Sequence, residues 1–124
     1  MLLNEDLTEE ILSCAFKVHT TLGLGMLESA YQICLEYELK KSGLLVESEV
    51  KVPIVYDQIT LDCGYRIDLL VQSKVIIELK TVEKLTDIHV AQILTYMKFS
   101  NIKIGVLLNF RIKSLKDGIK RFVL

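Results

Sequence analysis

The sequence is poor in the residues that mark several common classes of protein. It has only six glycines and one proline in 124 residues, which excludes collagen-like and low-complexity chains. No apolar run approaches the roughly 20 residues of a membrane-spanning helix. The acidic N-terminus, MLLNEDLTEE, lacks the basic start and apolar run of a signal peptide. With 51% hydrophobic residues and a net charge of −1, the chain is predicted to form one globular domain, residues 1–124, in the cytoplasm.

Cysteine is also scarce. Cys14, Cys34 and Cys63 form no CxxC pair, and their number is odd. We expect reduced, mostly buried thiols, as is usual in the cytoplasm, and no zinc site.

Charge is unevenly distributed along the chain. The first ten residues carry four acids and no base, whereas residues 111–124 carry five bases and one acid. A basic tail can hold phosphate groups, which makes Lys120 and Arg121 candidates for phosphate binding. A solvated strand edge is the alternative interpretation.

Apolar spacing predicts three helices and five strands. The helices are expected at residues 7–21, 26–42 and 86–100. The strands are expected at residues 46–56, 59–71, 75–81, 102–109 and 119–124. The first three strands form an antiparallel meander, and the third helix is a crossover that places the next strand parallel to one already in the sheet.

Two acidic residues are predicted to lie side by side on neighbouring strands. A three-residue loop, 72–74, brings Asp68 opposite Glu78, and Lys80 follows one step along the same face. Two carboxylates a few ångströms apart share a proton or hold a cation. Mg²⁺ is a natural partner because it takes oxygen ligands and keeps waters for a substrate. The alternative is an exposed ladder of charged residues on a solvent-facing sheet.

Two helices carry further candidate residues. Gln92 and Tyr96 are four residues apart and therefore share a helix face near the same end of the sheet, although surface packing would also explain them. Glu28 lies in the first turn of the second helix, where the helix dipole favours an acid whatever its function.

Together these residues resemble the PD-(D/E)XK nuclease superfamily. The order of elements is similar to its restriction-endonuclease-like αβββαβ core, an α/β fold with a mixed central sheet flanked by helices. The likeness is greatest to the RecB-like and lambda-exonuclease-like branch. More narrowly, the segment 25–31, GMLESAY, is similar to the signature of the GxxExxY proteins, as are segments 105–110 and 118–121. Ile67 departs from the superfamily pattern, which has proline before its aspartate.

The resemblance implies a metal site and a metal-dependent nuclease that acts on DNA or RNA. It implies that Asp68, Glu78 and the backbone carbonyl of Leu79 bind Mg²⁺ or Mn²⁺. Glu28 would complete the site, either directly or through a water molecule.

The resemblance also implies roles for the remaining candidates. Lys80 would act on the attacking water, and Gln92 and Tyr96 would position the metal shell or a substrate phosphate. A domain this small and nearly neutral is expected to need a homodimer, a partner protein or low sequence specificity. The alternative function is a catalytically silent module of the same fold that binds a metal, nucleic acid or a partner protein.

Overall fold

The structure, a computed structural model, describes residues 4–124, so the first three residues of the acidic N-terminal segment lie outside it. The helices are α1 (Asn4–Leu22), α2 (Glu28–Lys41) and α3 (Asp87–Ser100), with a short 3₁₀ helix at Leu115–Gly118. The strands are β1 (Val46–Lys51), β2 (Ile54–Tyr56), β3 (Ile59–Leu61), β4 (Arg66–Val71), β5 (Val75–Lys80), β6 (Ile104–Asn109) and β7 (Ile119–Val123). Within the described part of the chain, no helix is long and apolar enough to cross a membrane.

Five of the strands form one mixed sheet, in the order β1-β4-β5-β6-β7. Strand β5 runs parallel to β6, and every other neighbouring pair is antiparallel. The parallel pair is joined through α3, as predicted for a crossover helix. Val71 pairs with Val75 across the tight turn between β4 and β5, which confirms the predicted register.

Two of the predicted strands were drawn too long. The predicted strands 46–56 and 59–71 are each divided, and their inner ends form a separate hairpin, β2–β3. Pro53 interrupts the first because it has no N–H to donate to a sheet. Gly64 interrupts the second with a φ of +83°, which extended strands do not adopt. The hairpin is therefore separate from the main sheet and lies beside α3.

The sheet is covered on both faces. Helices α1 and α2 pack on one face, in a cluster that includes Ile11, Leu35 and Ile77. Helix α3 packs on the other face, in a cluster that includes Met97 and Ile76. Strand β5 is central and has five buried residues in succession, as a strand covered on both faces should.

The side chain of Asn109, at the end of β6, fixes the segment that follows β5. Its amide donates to the carbonyl of Val82 over 2.8 Å, and its oxygen accepts from the backbone N–H of Val82 over 3.2 Å. Asn109 thus continues the parallel β5–β6 pairing with a side chain. This contact holds the chain immediately after Lys80, which is the last residue of β5.

Gly118 packs so closely on Asn109 that we expect Gly118→Ala to destabilise the fold by about 2 kcal/mol. An added Cβ would come within 2.7 Å of the Asn109 carbonyl oxygen and 2.9 Å of Ile112 Cγ2, and the first of these atoms is backbone that cannot rotate away. Chemical denaturation measures the effect. Gly25→Ala is the matched control, because its Cβ would meet nothing within 4 Å. Equal stabilities of the two variants would show that the segment tolerates the shift.

Candidate functional site

Asp68 and Glu78 lie where β4 and β5 separate. The backbone pairing ends at Leu69 and Ile77. Beyond this point, the two carboxylates accept hydrogen bonds from backbone N–H groups of the opposite strand. Asp68 Oδ2 accepts from the backbone N–H of Leu79 over 2.8 Å. Glu78 Oε1 accepts from the backbone N–H of Asp68 over 3.3 Å. The two acids therefore face each other across the opening between the strands.

Glu78 is withdrawn from water, and Asp68 beside it is half-buried. Glu78 is only 3% exposed, so the alternative of an exposed ladder on a solvent-facing sheet is wrong. Burial, followed by the charge of Asp68, raises the pKa of Glu78 to about 10. Burial also raises the pKa of Asp68. Two buried carboxylates that cannot both ionise share a proton or require a cation.

Lys80 is held beside the pair by helix α3. Its ammonium donates to Gln92 Oε1 over 2.9 Å, and Gln92 lies near enough to the Tyr96 hydroxyl to lower its pKa slightly against the larger effects that raise it. Burial raises the pKa of Tyr96, and the negative charges of Glu78 and Asp68 raise it further. Gln92 and Tyr96 are one turn apart, so α3 presents both to the end of the sheet.

Glu28 approaches the same place from helix α2, which begins at this residue. Its carboxylate lies near the backbone of Thr81 and near enough to Asp68 and Lys80 for both charges to affect its pKa. Burial is the main cause that raises the pKa of Glu28, and the Asp68 charge is the second. Glu28 thus adds a third acid to the rim of the site.

Tyr31, one turn after Glu28, joins the start of α2 to the core. Its ring is fully buried and stacks on Phe110, with centroids 4.6 Å apart. Its hydroxyl donates to the carbonyl of Gly23 and accepts from the backbone N–H of Met26 over 3.3 Å. Tyr31 therefore pins the turn between α1 and α2, and this fixes where α2 begins and where Glu28 points.

Two further residues at the site were not predicted. Gln32 donates to the Asp68 carbonyl over 3.2 Å and to Glu49 Oε1 over 3.4 Å. Gln32 could have been found, because it lies one helical turn after Glu28. Glu49 had no such signal. It sits opposite Asp68, where the β1–β4 pairing is interrupted, and its φ of +53° is uncommon for a residue other than glycine.

The basic candidates of the C-terminal strand are separated. Lys120 pairs with Leu107, which pairs with Glu78, so Lys120 lies on the sheet face that carries the acids. Arg121 is the next residue along the strand and therefore belongs to the opposite face. Because the two residues belong to opposite faces of the sheet, the geometry does not favour one phosphate site that uses both. Lys120 is the better placed of the two to act beside the acids.

The donor chemistry of the site fits a hard divalent cation. Within residues 4–124, no three His, Cys, Asp or Glu side chains converge in a ready-made coordination sphere. The reason is local: the carboxylates of Asp68 and Glu78 are hydrogen-bonded to backbone N–H groups and to each other. Carboxylate and carbonyl oxygens are nevertheless the ligands that Mg²⁺ and Mn²⁺ take. A cation would also supply the positive charge that this buried pair requires.

Comparison with known proteins agrees with this geometry. A family model of the PD-(D/E)XK nuclease superfamily matches residues 5–122. The chain therefore belongs to the PD-(D/E)XK nuclease superfamily, and its mixed sheet flanked by helices confirms the predicted restriction-endonuclease-like α/β fold. No curated protein and no solved structure gave a significant match.

Proposed function

We propose that this protein is a divalent-metal-dependent phosphodiesterase that cleaves DNA or RNA. The observation that carries the proposal is the adjacent pair of carboxylates, buried Glu78 and half-buried Asp68, with the Lys80 ammonium held nearby by Gln92. A superfamily defined by nuclease members provides the background. An ordinary structural sheet has no reason to bury two adjacent acids, because each costs free energy without a partner.

Asp68, Glu78 and the Leu79 carbonyl would hold the Mg²⁺ or Mn²⁺, and Glu28 would complete the site directly or through water. When bound, the cation would polarise the phosphate and lower the pKa of a coordinated water. The chain itself contributes the geometry. Strands β4 and β5 place Asp68 and Glu78 together, and helix α2 brings Glu28 near them, so that a bound cation would need only local side-chain adjustment to complete the site.

Lys80 would act on the attacking water and on the charge that develops on the phosphate. The reaction forms a bond from the water oxygen to phosphorus and breaks the bond from phosphorus to the leaving oxygen. Gln92 would keep the ammonium aimed at the site, because the two are joined by a hydrogen bond. Tyr96 would position a substrate phosphate through its hydroxyl.

The finer family placement is also a proposal. Tyr31, Glu28 and the preceding glycine-containing turn act as one unit, which supports membership of the GxxExxY group within the RecB-like branch. Lys120 would contact the phosphate backbone. A homodimer or a partner protein would enlarge the phosphate-binding surface of a chain whose net charge is −1. The three unpaired cysteines support a place in the reducing cytoplasm.

The direct test is cleavage of end-labelled single- and double-stranded DNA and RNA with Mg²⁺ or Mn²⁺, with EDTA as the control. We expect metal-dependent cleavage of at least one substrate. Tight metal binding by calorimetry without any cleavage would overturn the proposal and favour the silent binding module. A protein that neither binds the metal nor cleaves any substrate would refute both the nuclease and the metal-binding form of the silent module.

A further inference from the structure

A cleft of about 520 Å³ opens directly beside the candidate active site. One wall is the side of the β2–β3 hairpin, with Ile54, Leu61 and the adjoining Tyr65, and the other is helix α3, with Tyr96 and Phe99. Lys80 and Gln92 also line it. The cleft therefore adjoins the site through Lys80, Gln92 and Tyr96, which belong to both, and its volume lies within the range of small-molecule sites.

The lining of the cleft is mainly apolar and aromatic. The rings of Tyr65 and Tyr96 meet edge to face, with centroids 6.2 Å apart. Tyr96 is nearly buried, whereas Tyr65 is 45% exposed at the mouth. Polar groups that could contact a phosphate, Lys80, Gln92 and the Tyr96 hydroxyl, lie on the side of the active site, whereas the apolar and aromatic surfaces suit a flat, uncharged ring.

The hairpin wall is tied down at its base. Asp62 forms ion pairs with two residues. Its Oδ2 lies 2.7 Å from Lys51 Nζ, and its Oδ1 lies 3.6 Å from Arg66 Nη1. These contacts join the segment after the hairpin to the strands β1 and β4. The cleft is thus part of the folded structure and its walls come from elements that also hold the site.

We infer that this cleft receives one unstacked nucleobase of the strand that is cut, and that the protein therefore selects single-stranded or frayed nucleic acid. The inference rests on the proposed function for the class of substrate. Its own basis is the continuity of the cleft with the site: a strand whose phosphate lies at Lys80 has its bases next to the aromatic walls. In an intact duplex the bases are stacked inside the helix and cannot enter.

Binding of fluorescent 12-nucleotide probes tests the inference separately from catalysis. Anisotropy is measured in EDTA, which prevents cleavage, and again with Mg²⁺ in a Glu78→Gln background. The probes are single-stranded DNA, single-stranded RNA, a blunt DNA duplex, and a series of single strands with one abasic nucleotide moved along the chain. We expect the single strands to bind more tightly than the duplex.

Removing the base at one position should weaken binding by about 5-fold or more, as for a base stacked on an aromatic side chain. Tyr65→Ala should weaken the intact probe by a similar factor and abolish the effect of the abasic position. Ala91→Phe, which places a ring in the cleft from an exposed site on α3, should do the same. Tyr37→Ala is the matched control, because this tyrosine is exposed on α2 and lies outside the cleft.

The outcomes separate the two proposals. Cleavage by the wild-type protein with no effect of Tyr65→Ala, Ala91→Phe or any abasic position would overturn the nucleobase cleft and leave the nuclease intact. Binding that depends on Tyr65 and on one base, without cleavage, would support the cleft and refute the nuclease. Equal binding of the blunt duplex and the single strands would also overturn the inference.

Discussion

Replacing Lys80 by methionine is expected to lower the rate of metal-dependent cleavage by about 10²- to 10⁴-fold, the usual contribution of a positioned acid–base group. Methionine keeps the length of the aliphatic stem and removes only the charge and its hydrogen bond to Gln92. Because Lys80 is only partly buried, the fold should survive. Initial rates at saturating Mg²⁺, together with a thermal melt of each protein, measure the effect.

Lys103→Met is the matched control for this experiment. Lys103 is an exposed lysine just before β6, at the end of the sheet far from Asn109 and Lys80. Its replacement changes the net charge by the same amount and should leave cleavage within about 2-fold, since a single surface charge has little effect. Calorimetric titration should show Mg²⁺ affinity retained in Lys80→Met. If Lys80→Met cleaved at the wild-type rate, Lys80 would have no role in catalysis.

The central part of the fold could be predicted because its sequence alternates in the way that a sheet demands. The turn at 72–74 is short, so the register between β4 and β5 followed from counting residues, and it placed Asp68 opposite Glu78. The third helix lies where it was predicted, at Asp87–Ser100, but the apolar line from Ile88 to Phe99 that indicated it is not its buried side, which consists of Ile93, Tyr96 and Met97.

The remainder depends on contacts between distant parts of the chain. The β2–β3 hairpin was missed because residues 46–71 have β-forming composition throughout, and only Pro53 and Gly64 divide them. The predicted meander pairs the strand of Glu49 with that of Asp68, but the register that sets these two residues opposite each other depends on the separate hairpin between the strands, which was not predicted. Arg121 was grouped with Lys120 because adjacent charges look alike in a sequence, whereas adjacent residues of a strand face opposite ways.

Replacing Glu78 by glutamine is expected to have two opposite effects: loss of cleavage and a more stable metal-free protein. The glutamine oxygen can still accept from the Asp68 N–H, and its amide can donate to the Asp68 carboxylate. The substitution therefore keeps the local hydrogen bonds and removes the free-energy cost of protonating Glu78 when the metal-free chain folds at neutral pH. We expect a gain of at least about 1 kcal/mol at pH 7.5, or a few degrees in Tm, and a fall in Mg²⁺-dependent cleavage to the limit of detection.

The dependence of this gain on pH distinguishes the electrostatic cause from better packing. The pKa of Glu78 is raised from 4.5 to about 10 on folding, so the folded protein binds more protons than the unfolded chain between these values. Stability of the wild-type protein must then fall as pH rises through this window. In EDTA, the advantage of Glu78→Gln should be small near pH 5 and should grow towards pH 8. Urea denaturation at each pH measures the difference in the free energy of unfolding between the two proteins, in which the titrations that they share cancel.

An advantage independent of pH would mean that packing, and not charge, is responsible. An advantage that grows with pH and disappears when Mg²⁺ is added would show that the cation relieves the electrostatic cost of placing Glu78 beside Asp68. That cost would then favour cation binding.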